Sequence, residues 1–195
     1  MPAVKQFDET EALEKAMLTF WERGFNATSM QDLVDAMGIQ RGSLYATFGD
    51  KQKLFMSALK FYNTHYRQAP MAMVEAEFSP LETIDQWFQL AVSINDQEKN
   101  PKGCLIANTA LEMSQHDEEV ATFLNACQDD IIAFFERNLS AAKDSKELAA
   151  HLNVDATAKR LMATLFGMFV LSRGGFKVND LTQIATSTLA SLPKA

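Results

Sequence analysis

Hydrophobic positions recur at helical spacing through almost the whole chain. No window shows sustained alternation with period two, so the pattern predicts helices and no strand. The first helix spans about Asp8 to Arg23. Leu13, Ala16, Met17 and Phe20 form its stripe, acids fill its first turn, and Gly24 stops it. The stretch from Thr28 to Phe55 is denser in signals. Ser29 is an N-cap with Asp32 in capping-box spacing, and Met30, Leu33, Val34 and Met37 form one apolar face. Gly38 supplies a left-handed terminus, and Ile39 plugs the turn. The next helix, Arg41 to about Thr47, keeps only Leu44 and Phe48 as apolar anchors. Its remaining surface, with Gln40 just before it, carries Arg41, Ser43, Tyr45 and Thr47, which are hydrogen-bond donors with little packing value. A fourth helix begins at Asp50, is lined by Leu54, Phe55, Ala58, Leu59, Tyr62 and Tyr66, and is expected to break at Ala69-Pro70.

Downstream, Ser79-Pro80 opens a helix to about Asp96 with Ile84, Trp87, Phe88, Ala91 and Ile94 on one face. Asn100 to Gly103 is a break. The run from Cys104 to about Ser114 is apolar but holds Asn108, Thr109 and Glu112. A long helix from near Asp117 carries Val120, Leu124, Cys127, Ile131, Phe134, Phe135 and Leu139, and His116-Asp117 reads as its cap region. Lys143 to Asn153 is polar and reads as the loosest connection. The helix from Asp155 to Arg173 is apolar nearly all round, which a surface helix should not be. Gly174-Gly175 ends it, and a last helix spans about Asn179 to Leu192. The excess apolar surface on these last two helices predicts a homodimer in which they form a four-helix bundle with their copies. The fold class is therefore all-α, with about nine helices.

Charge changes the picture locally. The net charge is −7, but residues 1–68 balance eight bases against eight acids, so the negative excess lies in residues 69–195. Between Ala36 and Arg67 the bases Arg41, Lys51, Lys53, Lys60 and Arg67 face one acid, Asp50. A basic patch on an acidic protein points to nucleic-acid phosphate. A short helix held by two anchors and showing donors elsewhere fits the recognition helix of a helix-turn-helix unit. Gln40, Arg41 and Ser43 at its start are placed to reach base edges. Arg41 could make a bidentate contact to guanine, worth roughly 1–3 kcal/mol of discrimination. Thr28, Tyr45, Thr47 and Lys51 read as phosphate clamps that set register. The plain alternative is a solvated helix start.

The run Gly42-Ser43-Leu44-Tyr45-Ala46-Thr47-Phe48-Gly49-Asp50-Lys51-Gln52-Lys53-Leu54-Phe55 resembles the glycine-x-leucine-tyrosine-x-x-phenylalanine-x-x-lysine motif of TetR-type bacterial transcriptional regulators. The resemblance covers about the first sixty residues. It implies a helix-turn-helix DNA-binding domain over residues 1–49, a connecting helix over 50–68, and a ligand-binding and dimerisation domain over 69–195. It adds Gly42 to the DNA-binding set and implies backbone contacts for Tyr45 and Lys51. Thr47 stands where relatives often have histidine, a donor of longer reach. The partners it implies are a double-stranded DNA operator, a second copy of the chain and a small-molecule effector.

An effector cavity would need a few polar groups among aromatics. Trp87, Phe88, Asn108, Glu112, Met113 and Phe166 are the residues that fit, although core packing accounts for each aromatic alone. Cys104 follows Gly103 at a helix start beside Lys102, and both features lower a thiol's pKa, so it is a candidate redox sensor. The simpler and favoured reading is a buried, inert thiol. The histidines and the two cysteines show no metal spacing, and there is no phosphate-cradling loop or nucleophile elbow. No enzyme, metal or cofactor is expected. The N-terminus carries no apolar signal core, and no run is long enough to span a bilayer, so the expectation is a cytoplasmic protein without membrane contact. The reading is a ligand-released dimeric repressor. A TetR-type activator, or a helical module that meets an acidic protein, is the alternative.

Overall fold

The computed structural model describes residues 7–96, 102–113 and 118–195. The side chains of Ile94 and Met113, and the His116-Asp117 pair, lie outside the described residues. Among the described residues every regular element is a helix, and one isolated bridge joins Leu148 to Lys194.

Local chemistry sets the first three helices. In α1 (Glu9–Arg23) the Asp8 side chain accepts from the Thr10 and Glu11 amides, and the N–H of Gly24 closes the far end on the Phe20 carbonyl. In α2 (Met30–Met37) Ser29 and Asp32 form the full capping box, and Gly38 ends the helix at φ +67°, a left-handed conformation that a side chain would strain. The third helix, α3, runs Arg41–Phe48; Gln40 precedes it with no side-chain cap.

The fourth helix differs from expectation. α4 (Lys51–Tyr62), capped by Asp50 on the Lys53 amide, passes through a π-helical turn at Asn63–Gln68 into α5 (Ala69–Glu77) without a break. Proline has no N–H and its ring clashes with the carbonyl four residues back. The π turn relieves both: the Ala69 N–H reaches back five residues to Thr64, which widens the rod just before Pro70. With this rod taken as one helix, nine result among the described residues. The others are α6 (Pro80–Asp96), α7 (Leu105–Met113), α8 (Glu118–Asp144), α9 (Val154–Arg173) and α10 (Val178–Ala190).

Two apolar cores fill the molecule. The first gathers α1 to α4 around Met17, Phe20, Leu33, Leu44 and Phe55, and Leu105, Ile106, Val120 and Leu124 join it from α7 and α8. It is therefore not confined to residues 1–68. The second packs Ile84, Phe88, Phe134, Phe135, Leu161 and Leu165 with Leu181 and Ala185 of α10. Phe166 and Phe169 pack against both cores. The connection from Lys143 to Asn153 is not loose. Leu148, Ala149 and Leu152 are buried, the Ala149 N–H donates to the Pro193 carbonyl (2.9 Å), and Lys143 Nζ donates to the Leu152 carbonyl (2.8 Å). Val170 on α9 is 45% exposed and Phe176 just after it 46%, so apolar surface does remain open on this side of the chain.

Candidate nucleic-acid interface and ligand cavity

α3 is anchored by buried Leu44 and half-buried Phe48, as its two apolar positions require. Gln40, Arg41, Gly42 and Tyr45 are exposed, and Ser43 and Thr47 are half-exposed. The Arg41 guanidinium lies 5.9 Å from the centre of the Tyr45 ring, so the two side chains form one surface. A Cβ added at Gly42 would meet no atom within 4 Å. Lys51 is half-buried, with its ammonium 4.2 Å from the Phe25 ring centre.

Two residues leave the expected interface. Thr28 is buried, and its hydroxyl donates to the Gly24 carbonyl at 2.6 Å. It fixes the turn between α1 and α2 and is not open to a phosphate. Arg67 leaves the basic patch. Its side chain is 5% exposed and donates to Asn63 Oδ1, to the Cys127 carbonyl and to Asp130 Oδ2. The sequence could not separate it from the surface bases, because what turns it inward is the π turn.

The helical body grips the end of α1 with two charged side chains. Glu112 accepts from the amides of Phe25 (3.0 Å) and Asn26 (2.6 Å). Arg173 donates to the carbonyls of Trp21 (3.2 Å), Glu22 (3.2 Å) and Lys102 (3.1 Å). The guanidinium takes up terminal carbonyls of α1 that have no intrahelical partner, and the carboxylate takes up amides of the turn that follows. Gly24 is required here: its φ is +83°, and an added Cβ would stand 2.8 Å from Glu112 Oε2.

A cavity of about 300 Å³ lies between the two cores. Leu18 and Trp21 of α1 line it, with Tyr62, Tyr66 and Arg67 from the long rod. Trp87, Leu90 and Ala91 of α6 face these, and Cys104, Cys127, Phe166 and Phe169 contribute to the wall. Of the residues expected to form an effector cavity, Trp87 and Phe166 do so. Phe88 is fully buried core. Asn108 donates to the Lys102 carbonyl (2.8 Å) and closes the preceding turn. Glu112 holds α1 as described, and the Met113 side chain lies outside the described residues. The sequence reading was right that polar groups inside an apolar helix need partners, but those partners are backbone groups. It missed Trp21, Tyr62 and Tyr66. The signal for them was an indole four residues after Met17, at the edge of the α1 stripe, and two tyrosines four residues apart.

Cys104 does not have a sensor's chemistry. It is buried, the Tyr62 hydroxyl donates to its Sγ at 3.5 Å, and burial pushes its thiol up in spite of that hydrogen bond. Burial likewise pushes Cys127 up, to about 11. A thiol held neutral is a poor nucleophile. Among the described residues no group of three or more histidine, cysteine, aspartate or glutamate side chains is placed to hold a metal, and no helix is long and apolar enough to cross a membrane.

Comparison with known proteins agrees with this architecture from end to end. Residues 12–58 match the model for bacterial regulatory proteins of the tetR family, and residues 80–175 match the tetracyclin repressor-like C-terminal domain. The chain is 30% identical over 194 residues to the HTH-type transcriptional repressor ComR of Escherichia coli K12, covering 97% of this chain and 91% of ComR. It is 38% identical over 144 residues to the HTH-type transcriptional regulator YezE of Bacillus subtilis 168, covering 74% of each. Its fold superposes with a TM-score of 0.87 on a cysteine-substituted TetR-family regulator, CifR, complexed with 26-base-pair operator DNA, at 28% identity over 97% of this chain and 99% of that one. The chain belongs to the TetR family of bacterial helix-turn-helix transcriptional regulators.

Proposed function

We propose that the protein is a dimeric repressor that leaves a near-palindromic operator when a small molecule fills the cavity. Residues 1–49 form the DNA-binding unit, 50–68 the connection and 69–195 the effector and dimerisation part. Gln40, Arg41 and Ser43 read bases in the major groove, and Tyr45, Thr47 and Lys51 hold phosphates. Gly42 lets the α3 backbone approach the duplex. The observation that carries this reading is the open face of α3. A glycine inside a helix costs about 1 kcal/mol relative to alanine, and nothing in the fold occupies the space a Cβ would take. A partner outside the chain accounts for it. ComR is a transcriptional repressor and CifR is complexed with operator DNA, which supports the same conclusion.

Two copies joined through α9 and α10, with Val170 exposed on α9 and Phe176 exposed in the link between them, place two α3 helices in successive major grooves about 34–36 Å apart. The cavity reaches α3 by two routes. Trp21 lies in the last turn of α1 beside the Glu112 and Arg173 grip, and Tyr62, Tyr66 and Arg67 lie on the rod that begins next to α3. An effector that favours the released conformation by about 5.5 kcal/mol switches occupancy fully, and a weaker preference gives partial release. The reading assigns no catalytic activity and places the protein in the cytoplasm with the DNA. A gel-shift assay with the gene's own promoter fragment, paired with a reporter in a deletion strain, tests it. A retarded fragment and a reporter that rises on deletion are expected. A falling reporter makes the protein an activator, and no retardation ends the proposal.

A further inference from the structure

Apolar packing already holds α1 to α4 on the rest of the chain, because Leu105 and Ile106 of α7 and Val120 and Leu124 of α8 share their core. Packing of this kind scales with area and has no preferred direction. A hydrogen bond to a charged group fixes both distance and angle. Such bonds are concentrated at the end of α1. Glu112, in the last turn of α7, accepts from the Phe25 and Asn26 amides, and Arg173, the last residue of α9, donates to the Trp21 and Glu22 carbonyls. The same guanidinium donates to the Lys102 carbonyl, which also accepts from Asn108 Nδ2, one turn before Glu112 on α7. α1, α7 and α9 therefore meet at one polar node. Gly24 keeps space for the Glu112 carboxylate, and Gly103 lets the turn before α7 close on α9, since an added Cβ would stand 2.9 Å from the Phe169 carbonyl.

Arg173 is exposed and Glu112 half-buried, so water competes for both, and these bonds add modestly to stability. What they supply is geometry. α9 is a helix of the proposed dimer interface, so the node refers the angle of each helix-turn-helix unit to the surface that meets the second copy. One base pair more or less between half-sites changes their separation by ~3.4 Å and turns one against the other by about 35°. We infer that Glu112 and Arg173 are positioning residues for DNA binding: they hold each helix-turn-helix unit at a fixed angle to α9 and so set the half-site spacing that the dimer accepts. The inference rests on the dimeric, operator-binding reading above.

Footprinting on the promoter fragment defines the operator. Fluorescence anisotropy then compares it with the same duplex lengthened or shortened by one base pair at its centre, and with a single half-site. The variants are Glu112→Gln and Arg173→Met. The unaltered protein should lose about a hundredfold in affinity on a mis-spaced duplex, because its second unit no longer engages, and each variant about tenfold or less. On the natural operator each variant should bind about three- to tenfold more weakly, as a looser linkage lowers the effective concentration of the second unit. Half-site affinity should not change, because the surface of α3 is unaltered. A residue that only stabilised the fold would weaken binding to all the duplexes alike and leave their ratios as they were. A nitroxide on Gln31→Cys, an exposed position of α2, reports the separation of the two units without DNA, since both native thiols are buried. Double electron–electron resonance should give a broader distance distribution for each variant than for the unaltered dimer. Either variant suffices, so misfolding of one leaves the test standing. Unchanged spacing ratios, an unchanged distance distribution, or tighter binding of the natural operator by a variant overturns the inference and leaves the operator reading intact. If the unaltered protein protects no part of the promoter fragment, the operator reading falls and the inference with it.

Discussion

The recognition face of α3 and the wall of the cavity are opposite kinds of surface, one carrying donors that the fold leaves unused and the other apolar with its polar groups engaged. On α3, Gln40, Arg41, Ser43 and Tyr45 are open to water, so holding them ready costs the fold little. In the cavity the wall is mostly aromatic and aliphatic, and the polar groups of Tyr62, Tyr66 and Arg67 are already engaged within the protein. The first surface should therefore recognise a highly charged partner with strong salt dependence. The second should recognise a small, weakly polar one mainly by shape. Between them, Arg67 shows how a charge changes role when the chain turns it inward.

The comparison yields tests of graded size. Arg67→Ala should have the largest effect on stability. It removes a buried guanidinium that donates to Asn63 and to the Cys127 carbonyl, leaving Asn63 Oδ1 only the weak Cys127 thiol donor. Because Asp130 is 51% exposed and can rehydrate, the loss should be at the low end for a buried pair, about 3 kcal/mol, or ~6–12 °C in thermal unfolding. Were Arg67 a surface base, the melting temperature would stay within a degree or two and only salt-dependent DNA binding would weaken. Arg41→Ala should leave the melting temperature unchanged and weaken operator binding about ten- to a hundredfold by fluorescence anisotropy, the worth of a bidentate base contact.

Gly42→Ala separates fold from function most cleanly. It should raise the melting temperature by ~2–4 °C, because alanine favours the helix by about 1 kcal/mol, and weaken operator binding through its new methyl group. Binding left intact would mean that DNA does not approach there. The smallest effect concerns acid. The Ser29 hydroxyl and then its amide, with Arg23, hold the Asp32 carboxyl below its ordinary value. Its contribution to the α2 cap is therefore fully present above about pH 4 and is lost as the pH falls through the lower folded value. Asp32→Asn should flatten the acid limb of the stability curve below pH 4 and leave neutral pH affinity for DNA nearly unchanged.

How far the sequence could be read depended on how local each cause was. The helix-turn-helix was legible because Ser29, Asp32, Gly38 and Asp50 act within three or four residues of themselves, and the structure gives each the role its type suggests. Pro70 misled because a distributed adjustment, the π turn over Asn63–Gln68, overrides the local rule. Thr28 misled because its side chain turns back to Gly24 at the point where Glu112 arrives from α7. The cavity was only half legible. Trp87 and Phe166 stood out as aromatics, whereas Trp21 and the two tyrosines become wall only when α1 and the long rod meet α6. Cys104 showed the same limit: Gly103 and Lys102 beside it suggest a reactive thiolate, but the core that closes over it comes from far away in the chain, and burial keeps it a thiol.

The most direct test is the salt dependence of binding to the protein's own promoter fragment, measured for the unaltered dimer and for Lys51→Ala. The account predicts tight binding in dilute buffer and a steep linear fall of log affinity with log salt. The Lys51→Ala slope should be shallower by about 1, as for one lost phosphate contact. Absence of binding to that fragment in dilute buffer, or an affinity that salt does not change, would contradict it.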